Sequence, residues 1–305
     1  QRIRDRALAC QEGDLTRAQS MSLFIQAAAG LCHETYVENA FRQDGGEPVN
    51  SGNANAVNLD HLREWVGRTE ARVDQATAAP IAALSATLDR DDAAPLPGSD
   101  VPPLWHWLYF LPLAKQSDIG PDGHAQRGGF LPPVPLPRRM WAGGRLEFHH
   151  PLQIGDEISR ASRIVDVSGK EGRSGALVFV TVRHEISNAR GVALTEEYDI
   201  VYRENPRPDA PVSKPQKAPA GETFRREIVP DPVLLFRYSA LTFNGHRIHY
   251  DRPYVTGVEG YPGLIVHGPL IATLLVDLLR RSLPQAGVRR FNFPAMRPLF
   301  DIHPF

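Results

Sequence analysis

Asn244, His246, His249 and Asp251 place four polar, chemically competent side chains within eight residues. Groups this dense beside an apolar segment are costly to bury unless they are paired or used. A short way on, His267-Gly268-Pro269 opens a long apolar run. A glycine at the start of a helix points its N–H outward, with the positive end of the helix dipole behind it. A histidine, an amide and such an N–H are the parts needed to activate a water and to steady an enolate oxygen. The amide sets a limit: Asn244 cannot take a proton as a carboxylate can, so it serves by orienting the water. The proton then falls to His249, alone or helped by His246 or Asp251, and Asp251 is equally a turn residue. Arg247 has the fork needed to grip a carboxylate in two places, or is a surface cation. Tyr238 and Ser239 suit helix packing and capping, or a substrate contact, and His267 suits orienting a loop. His246-x-x-His249 with Asp251 is a weak metal signal with no Glu beside it as base, so no metal is expected.

The elements that must hold these groups can be read along the chain. Residues 1–43 show a helical spacing behind a capping Asp14, ended by Gly45-Gly46, and 47–55 resemble a linker. Residues 1–56 thus form an extension of unassigned role. Short helices are expected at 59–67 and 78–88, the second with Pro80 in its first turn. Residues 102–111 form an aromatic band best read as packing. Strands follow at 145–149, 159–167, 177–186 and 198–202, rich in β-branched residues. A proline-rich linker covers 206–221, and a strand is expected over 222–229. Asp231 caps a short helix, residues 269–281 form a helix apolar nearly all round and therefore buried, and 291–300 begins a further sheet.

Phe243-Asn244-Gly245-His246-Arg247-Ile248-His249 and the His267-Gly268 pair resemble the hydratase motif of the MaoC-like, double hot-dog hydratases and dehydratases. The nearest branch is the hydroxyacyl-thioester dehydratase type 2 group, with the mesaconyl-CoA and itaconyl-CoA hydratases. The resemblance, continuous from Leu59, implies an α+β double hot-dog: a degenerate half over 57–205 and a catalytic half over 222–305, each a helix wrapped by an antiparallel sheet. On this resemblance the second half is expected to be short of its last strands. It implies His249 as the catalytic histidine and Gly268 as the oxyanion glycine, with Asn244 standing where the family has an aspartate. It further implies water addition to an enoyl thioester without a cofactor, coenzyme A being part of the substrate. Arg247 with His246, Tyr238 and Asp251 would then contact the acyl group, a short dicarboxylic one. The turn carrying Lys170 and Arg173 is a plain hairpin or a clasp for the coenzyme phosphates, as are Arg138 and Arg139. A 3-hydroxyacyl-thioester dehydratase of fatty-acid synthesis, a thioesterase and a non-catalytic acyl-CoA-binding subunit are the rival readings. Pairing through the sheets implies a homodimer or higher homo-oligomer.

Bulk composition narrows the rest. The chain has 305 residues, 42% of them hydrophobic, enough for one large or two ordinary cores. A formal charge of -1 without a basic run argues against nucleic acid as a partner. No apolar stretch approaches the roughly 20 residues of a membrane span. Two cysteines, Cys10 and Cys32, without a Cys-x-x-Cys, fit a reducing cytoplasm. No secretory signal is expected, because the basic start is not followed by an apolar core.

Overall fold

The computed structural model describes residues 22–24, 57–172, 175–205 and 221–305. Its frame is one seven-stranded sheet in the order β1-β7-β3-β6-β5-β4-β2. The long strands are β3 (Arg138–Phe148), β4 (Glu157–Gly172), β5 (Gly175–Asn188) and β6 (Gly191–Arg203). They pair antiparallel as β4–β5, β5–β6 and β6–β3, with β2 (Thr69–Gln75) on the far side of β4. The four sequence segments singled out as strands all lie here. They extend further than the β-branched runs alone indicate, because a ladder continues wherever the neighbour supplies backbone partners.

Helix α1 spans Leu59–Arg63 and α2 spans Ala78–Thr87. Asp231 caps α3 (Pro232–Leu241), its carboxylate accepting from the N–H groups of Val233 and Leu234. A six-residue helix α4 (Arg252–Gly257) precedes α5 (Gly268–Ser282), whose Leu270, Ile271, Ala272, Leu274 and Val276 are buried. These side chains share one core with Ile81 and Leu84 of α2 and with Leu146, Ile158, Ile186 and Leu194 of the sheet. Asp277, also buried on α5, is held by Arg90, Arg226 and Arg281. A lone carboxylate there would be very unfavourable, and the three guanidinium groups make it a junction between chain segments.

Two expectations change. Residues 222–229 form no strand: apart from Ile228, which exchanges both backbone hydrogen bonds with Phe305 (2.8 and 3.0 Å), no sheet edge is offered to them. Within the stretch read as an N-terminal helix, Ser22–Phe24 is instead a strand, β1, parallel to β7. Backbone groups at the open edge of β7 override a weak helical spacing of side chains. The rest of that helix, the 47–55 linker and residues 206–220 lie outside the described residues. From the C-terminal half a single strand, β7 (Arg290–Pro294), is added to the sheet, antiparallel to β3.

Candidate active site

Between β3, β7, α3, the motif and the start of α5 lies a cavity of about 1060 Å³. Its walls are mostly apolar, and Asn244, His246, His249, Tyr238 and Gly268 all reach it. The motif is set by a short turn of helix over Arg247–His249, which follows α3 after Phe243, a residue at φ 50°. Asn244 bends the chain: its Oδ1 accepts the backbone N–H of His246 at 3.0 Å. That leaves the NH2 of the amide as a donor and one lone pair of Oδ1 as an acceptor.

His249 is held from two sides. Its Nδ1 lies 2.7 Å from the carbonyl oxygen of Ile265, which can only accept. The proton is therefore on Nδ1 and the lone pair on Nε2. The ring stacks on that of His267 with centroids 3.7 Å apart and planes at 18°. His267 is itself fixed by Ser239, whose Oγ lies 2.8 Å from Nε2. Burial pushes His249 down to about 4, the Ile265 carbonyl opposing and the neighbouring His124 assisting. His246 and His267 are also held well below the ordinary histidine value, chiefly by burial. All three imidazoles are neutral at pH 7.

This depression has a consequence for stability. A histidine whose folded value is lower than its unfolded 6.5 costs nothing above that pH, because both states are neutral. As pH falls from 6.5 towards 4, the unfolded chain binds the proton first, and stability is lost. For His249 alone the full loss is about 3 kcal/mol. Urea unfolding at pH 7.0 and pH 4.5 should show a lower midpoint at the acid pH, with a smaller drop in His249→Asn. An equal drop in both proteins would remove His249 as the cause.

Gly268 is the first residue of α5, and its N–H has no acceptor among the described residues. A Cβ here would lie 2.5 Å from the ring of Trp141. Trp141 in turn stacks on Tyr198 and on Phe293, with centroids at 5.5 and 5.3 Å, which resists movement of the ring. The glycine lets the helix end come close to the cavity wall. Trp107, from the aromatic band, reaches the cavity too, while Trp105 and Leu108 are buried in the core as the packing reading requires.

Several expected contacts are not brought together. Arg247 does not face a substrate: it donates twice to Asp251 Oδ2, at 2.9 and 2.7 Å, and once to the carbonyl of Pro121 at 2.9 Å. Its guanidinium also lies 4.0 Å from the centre of the Tyr254 ring. Asp251 is the N-cap of α4, accepting from the N–H of Tyr254, so local backbone demand takes the carboxylate away from the chemistry. Lys170 sits in the β4–β5 hairpin over the Phe179 ring, outside the cavity wall, and Arg173 lies outside the described residues. Arg138 is buried and tied to Tyr261, Glu259 and Asn205. The next residue, Arg139, does line the cavity and has no carboxylate at ion-pair distance among the described residues.

Asp122 and His124 come from a turn that the sequence reading passed over. Their side chains meet at 2.9 Å, and the His124 ring lies 4.0 Å from that of His246. Among the described residues, Asp122, His124 and His246 form the one cluster of ligand-type groups, with atoms within 4.8 Å of one another. Burial depresses both histidines, with the positive Arg139 adding to it, and Asp122 already engages Nδ1 of His124. Both features favour hydrogen bonding over holding a cation. Gly120-Pro121-Asp122-Gly123-His124 was legible as a turn. Its partner, more than a hundred residues on, was not.

A neutral histidine with a fixed tautomer and a helix-start N–H line one apolar cavity under the sheet, the parts that a thioester hydratase or dehydratase of the hot-dog kind would need. The family comparison agrees: residues 104–301 match the model for hydroxyacyl-thioester dehydratase type 2. The chain belongs to that family, and its reaction is the addition or removal of water at an acyl thioester. It is 53% identical over 246 residues to the mesaconyl-C(4)-CoA hydratase of Chloroflexus aurantiacus, covering 79% of this chain and 86% of that one. It is 27% identical over 227 residues to the mitochondrial hydroxyacyl-thioester dehydratase type 2 of Schizosaccharomyces pombe, covering 66% and 75%. A solved MaoC-like dehydratase superimposes with a TM-score of 0.53 at 15% identity, over 78% of this chain and 85% of that chain. The fold is accordingly the α+β double hot-dog. No helix among the described residues is long and apolar enough to cross a membrane.

Proposed function

We propose that the chain hydrates a short dicarboxylic enoyl-CoA of the mesaconyl type, with His249 as base and Gly268 as oxyanion donor. The observation that carries this is the Nδ1–Ile265 hydrogen bond, which commits Nε2 of a cavity-lining histidine to accept a proton. As the water oxygen bonds the β-carbon, Nε2 takes one of its protons. The double-bond electrons move onto the thioester oxygen, where the Gly268 N–H meets the growing charge. His249 then returns a proton to the α-carbon. The chain's own residues and water suffice for every step, and coenzyme A enters only as part of the substrate. Asn244 shapes the motif loop and offers its NH2 to the water oxygen.

For the acyl group, the relative at 53% identity is named for a mesaconyl thioester. The cavity supplies a cation to match. Arg139 takes the part first given to Arg247, since it lines the cavity unpaired by a carboxylate while Arg247 is spent on the loop. Its charge acts on His246 and His124, which sets it on the same side as the water-handling histidines. In a mesaconyl C4 thioester the free carboxylate is borne by the carbon that receives the water, so a cation is wanted there. The catalytic half is then 222–305 with Arg139 lent by the first half. Homodimerisation through the sheet and a cytoplasmic setting belong to the same reading, and light scattering of the purified chain tests the first.

Absorbance of the enoyl-thioester band, with free thiol followed in parallel, decides the class. The band should fall with mesaconyl-CoA and no thiol should appear. Thiol release in step with the band would make the protein a thioesterase, and binding without turnover would make it a non-catalytic subunit. Gly268→Ala should lower kcat by about 100-fold, as loss of one oxyanion donor does, because the new Cβ displaces the helix start from Trp141. A kcat within about threefold of wild type would remove Gly268 from the oxyanion role.

A further inference from the structure

The attacking water carries two hydrogens, and His249 accepts only one of them. Asn244 has for the other only the remaining lone pair of an amide oxygen that already accepts the His246 N–H, a weaker acceptor than a carboxylate. A carboxylate at position 244 would have served. The cavity offers His246 instead, whose ring stands edge-on to His249, centroids 5.4 Å apart at 89°. A neutral imidazole has one acceptor nitrogen to give.

The ring of His246 is fixed by the 120–124 turn, which belongs to the other half of the chain. The turn is closed by Gly120 N–H donating to His124 O at 2.7 Å and Gly123 N–H donating to Gly120 O at 3.0 Å. Asp122 accepts from both the backbone N–H (3.0 Å) and Nδ1 (2.9 Å) of His124, which locks that ring. His124 then packs on His246 with centroids 4.0 Å apart. Docking to the motif is equally tight. The Arg247 N–H donates to Asp122 O at 2.9 Å, and Gly123, at φ +90°, lies so close that a Cβ there would be 1.8 Å from Gly245 O. Only glycine fits both demands. Arg247 and Asp251, displaced from substrate contact, thus find their use: they hold this turn through the Pro121 carbonyl.

We infer that the Asp122–His124 turn is a positioning element of the active site, clamping His246 beside His249 so that its free nitrogen accepts the second hydrogen of the attacking water. The inference rests on the hydratase reading above. One water proton passes to His249. The other stays on the oxygen as the product hydroxyl, hydrogen-bonded to His246, and the α-carbon receives its proton from His249. Water's three atoms are thereby all placed in the product, and no oxidant or reductant enters. His124 does not touch the reacting atoms; it acts through His246.

The test is a double-mutant cycle on the full chain, read as initial rates of enoyl-thioester hydration, with folding checked by thermal unfolding. His124→Ala should lower kcat by about 30-fold while KM changes by less than about twofold, the pattern of a misplaced group rather than lost binding. In the His246→Ala background the same change should cost less than about twofold more, because a residue acting only through another is not additive with it. If His124→Ala does not fold, His124→Gln keeps most of the volume and takes its place. A folded His124 variant with kcat within about twofold of wild type overturns the inference. Losses that multiply in the double variant also overturn it, as does wild-type activity removed by EDTA and restored by zinc, which would make the cluster a metal site. A wild type inert on every enoyl thioester overturns the hydratase reading and the inference together. An active wild type with any of the three earlier results overturns the inference alone.

Discussion

His249→Ala should lower kcat/KM for enoyl-CoA hydration by about 1000-fold, within the range that a positioned general base contributes. The reason is geometric before it is electrostatic. The Ile265 carbonyl accepts the Nδ1–H hydrogen bond at 2.7 Å, and the stacked His267 ring, its centroid 3.7 Å away, opposes a ring flip that would put carbons where the nitrogens stand. Burial then keeps the imidazole neutral to about 4, so the lone pair is present across the physiological range. His267 cannot substitute, because its Nε2 is engaged by Ser239 and its Nδ1 is buried without a partner. The variant loses a hydrogen bond to a buried carbonyl, worth about 1 kcal/mol, so it should still fold. The disappearance of the enoyl band, with circular dichroism as the control for folding, is the measurement. A folded variant retaining more than about a tenth of wild-type activity would transfer the role of base elsewhere.

Arg139→Gln should split two substrates that wild type handles alike in chemistry. Mesaconyl-CoA carries a free carboxylate and crotonyl-CoA does not. Loss of a charge-assisted, bidentate contact in a largely apolar cavity should cut kcat/KM for mesaconyl-CoA by about 100-fold. Crotonyl-CoA should change by less than about threefold, since nothing in it meets the guanidinium. Equal losses on both substrates would make Arg139 a structural or electrostatic support for His246 and His124. No loss on either would place the carboxylate elsewhere in the cavity. The comparison is cleaner than any single rate, because both substrates share the base, the oxyanion donor and the coenzyme.

The parts of this protein set by local rules were legible in the sequence. The α5 helix follows from an apolar run behind His267-Gly268-Pro269, the α3 cap from Asp231 before proline, and the long strands from their β-branched runs. The motif residues share the cavity because Asn244, His246 and His249 lie within six residues and one turn of helix carries the last. Each of these depends on neighbours a few positions away. The rest was decided by contacts between distant segments. Residues 222–229 have a strand's composition but meet no sheet edge, and Ser22–Phe24 becomes a strand because β7 offers one. Arg247 has a substrate-gripping side chain that Asp251 and Pro121 claim first, while Arg139, one position from the buried Arg138, reaches the cavity. Arg138 is claimed instead by Asn205, Tyr261 and Glu259, so packing between distant segments decides which of the two arginines is left for the cavity. The Asp122–His124 pair, over a hundred residues ahead of His246 in the chain, lies 4.0 Å from it ring to ring in space. Residue type and spacing thus determined which chemistry was available; the tertiary fold decided which side chains were left free to perform it, because each competing partner could be known only once the segments were packed together.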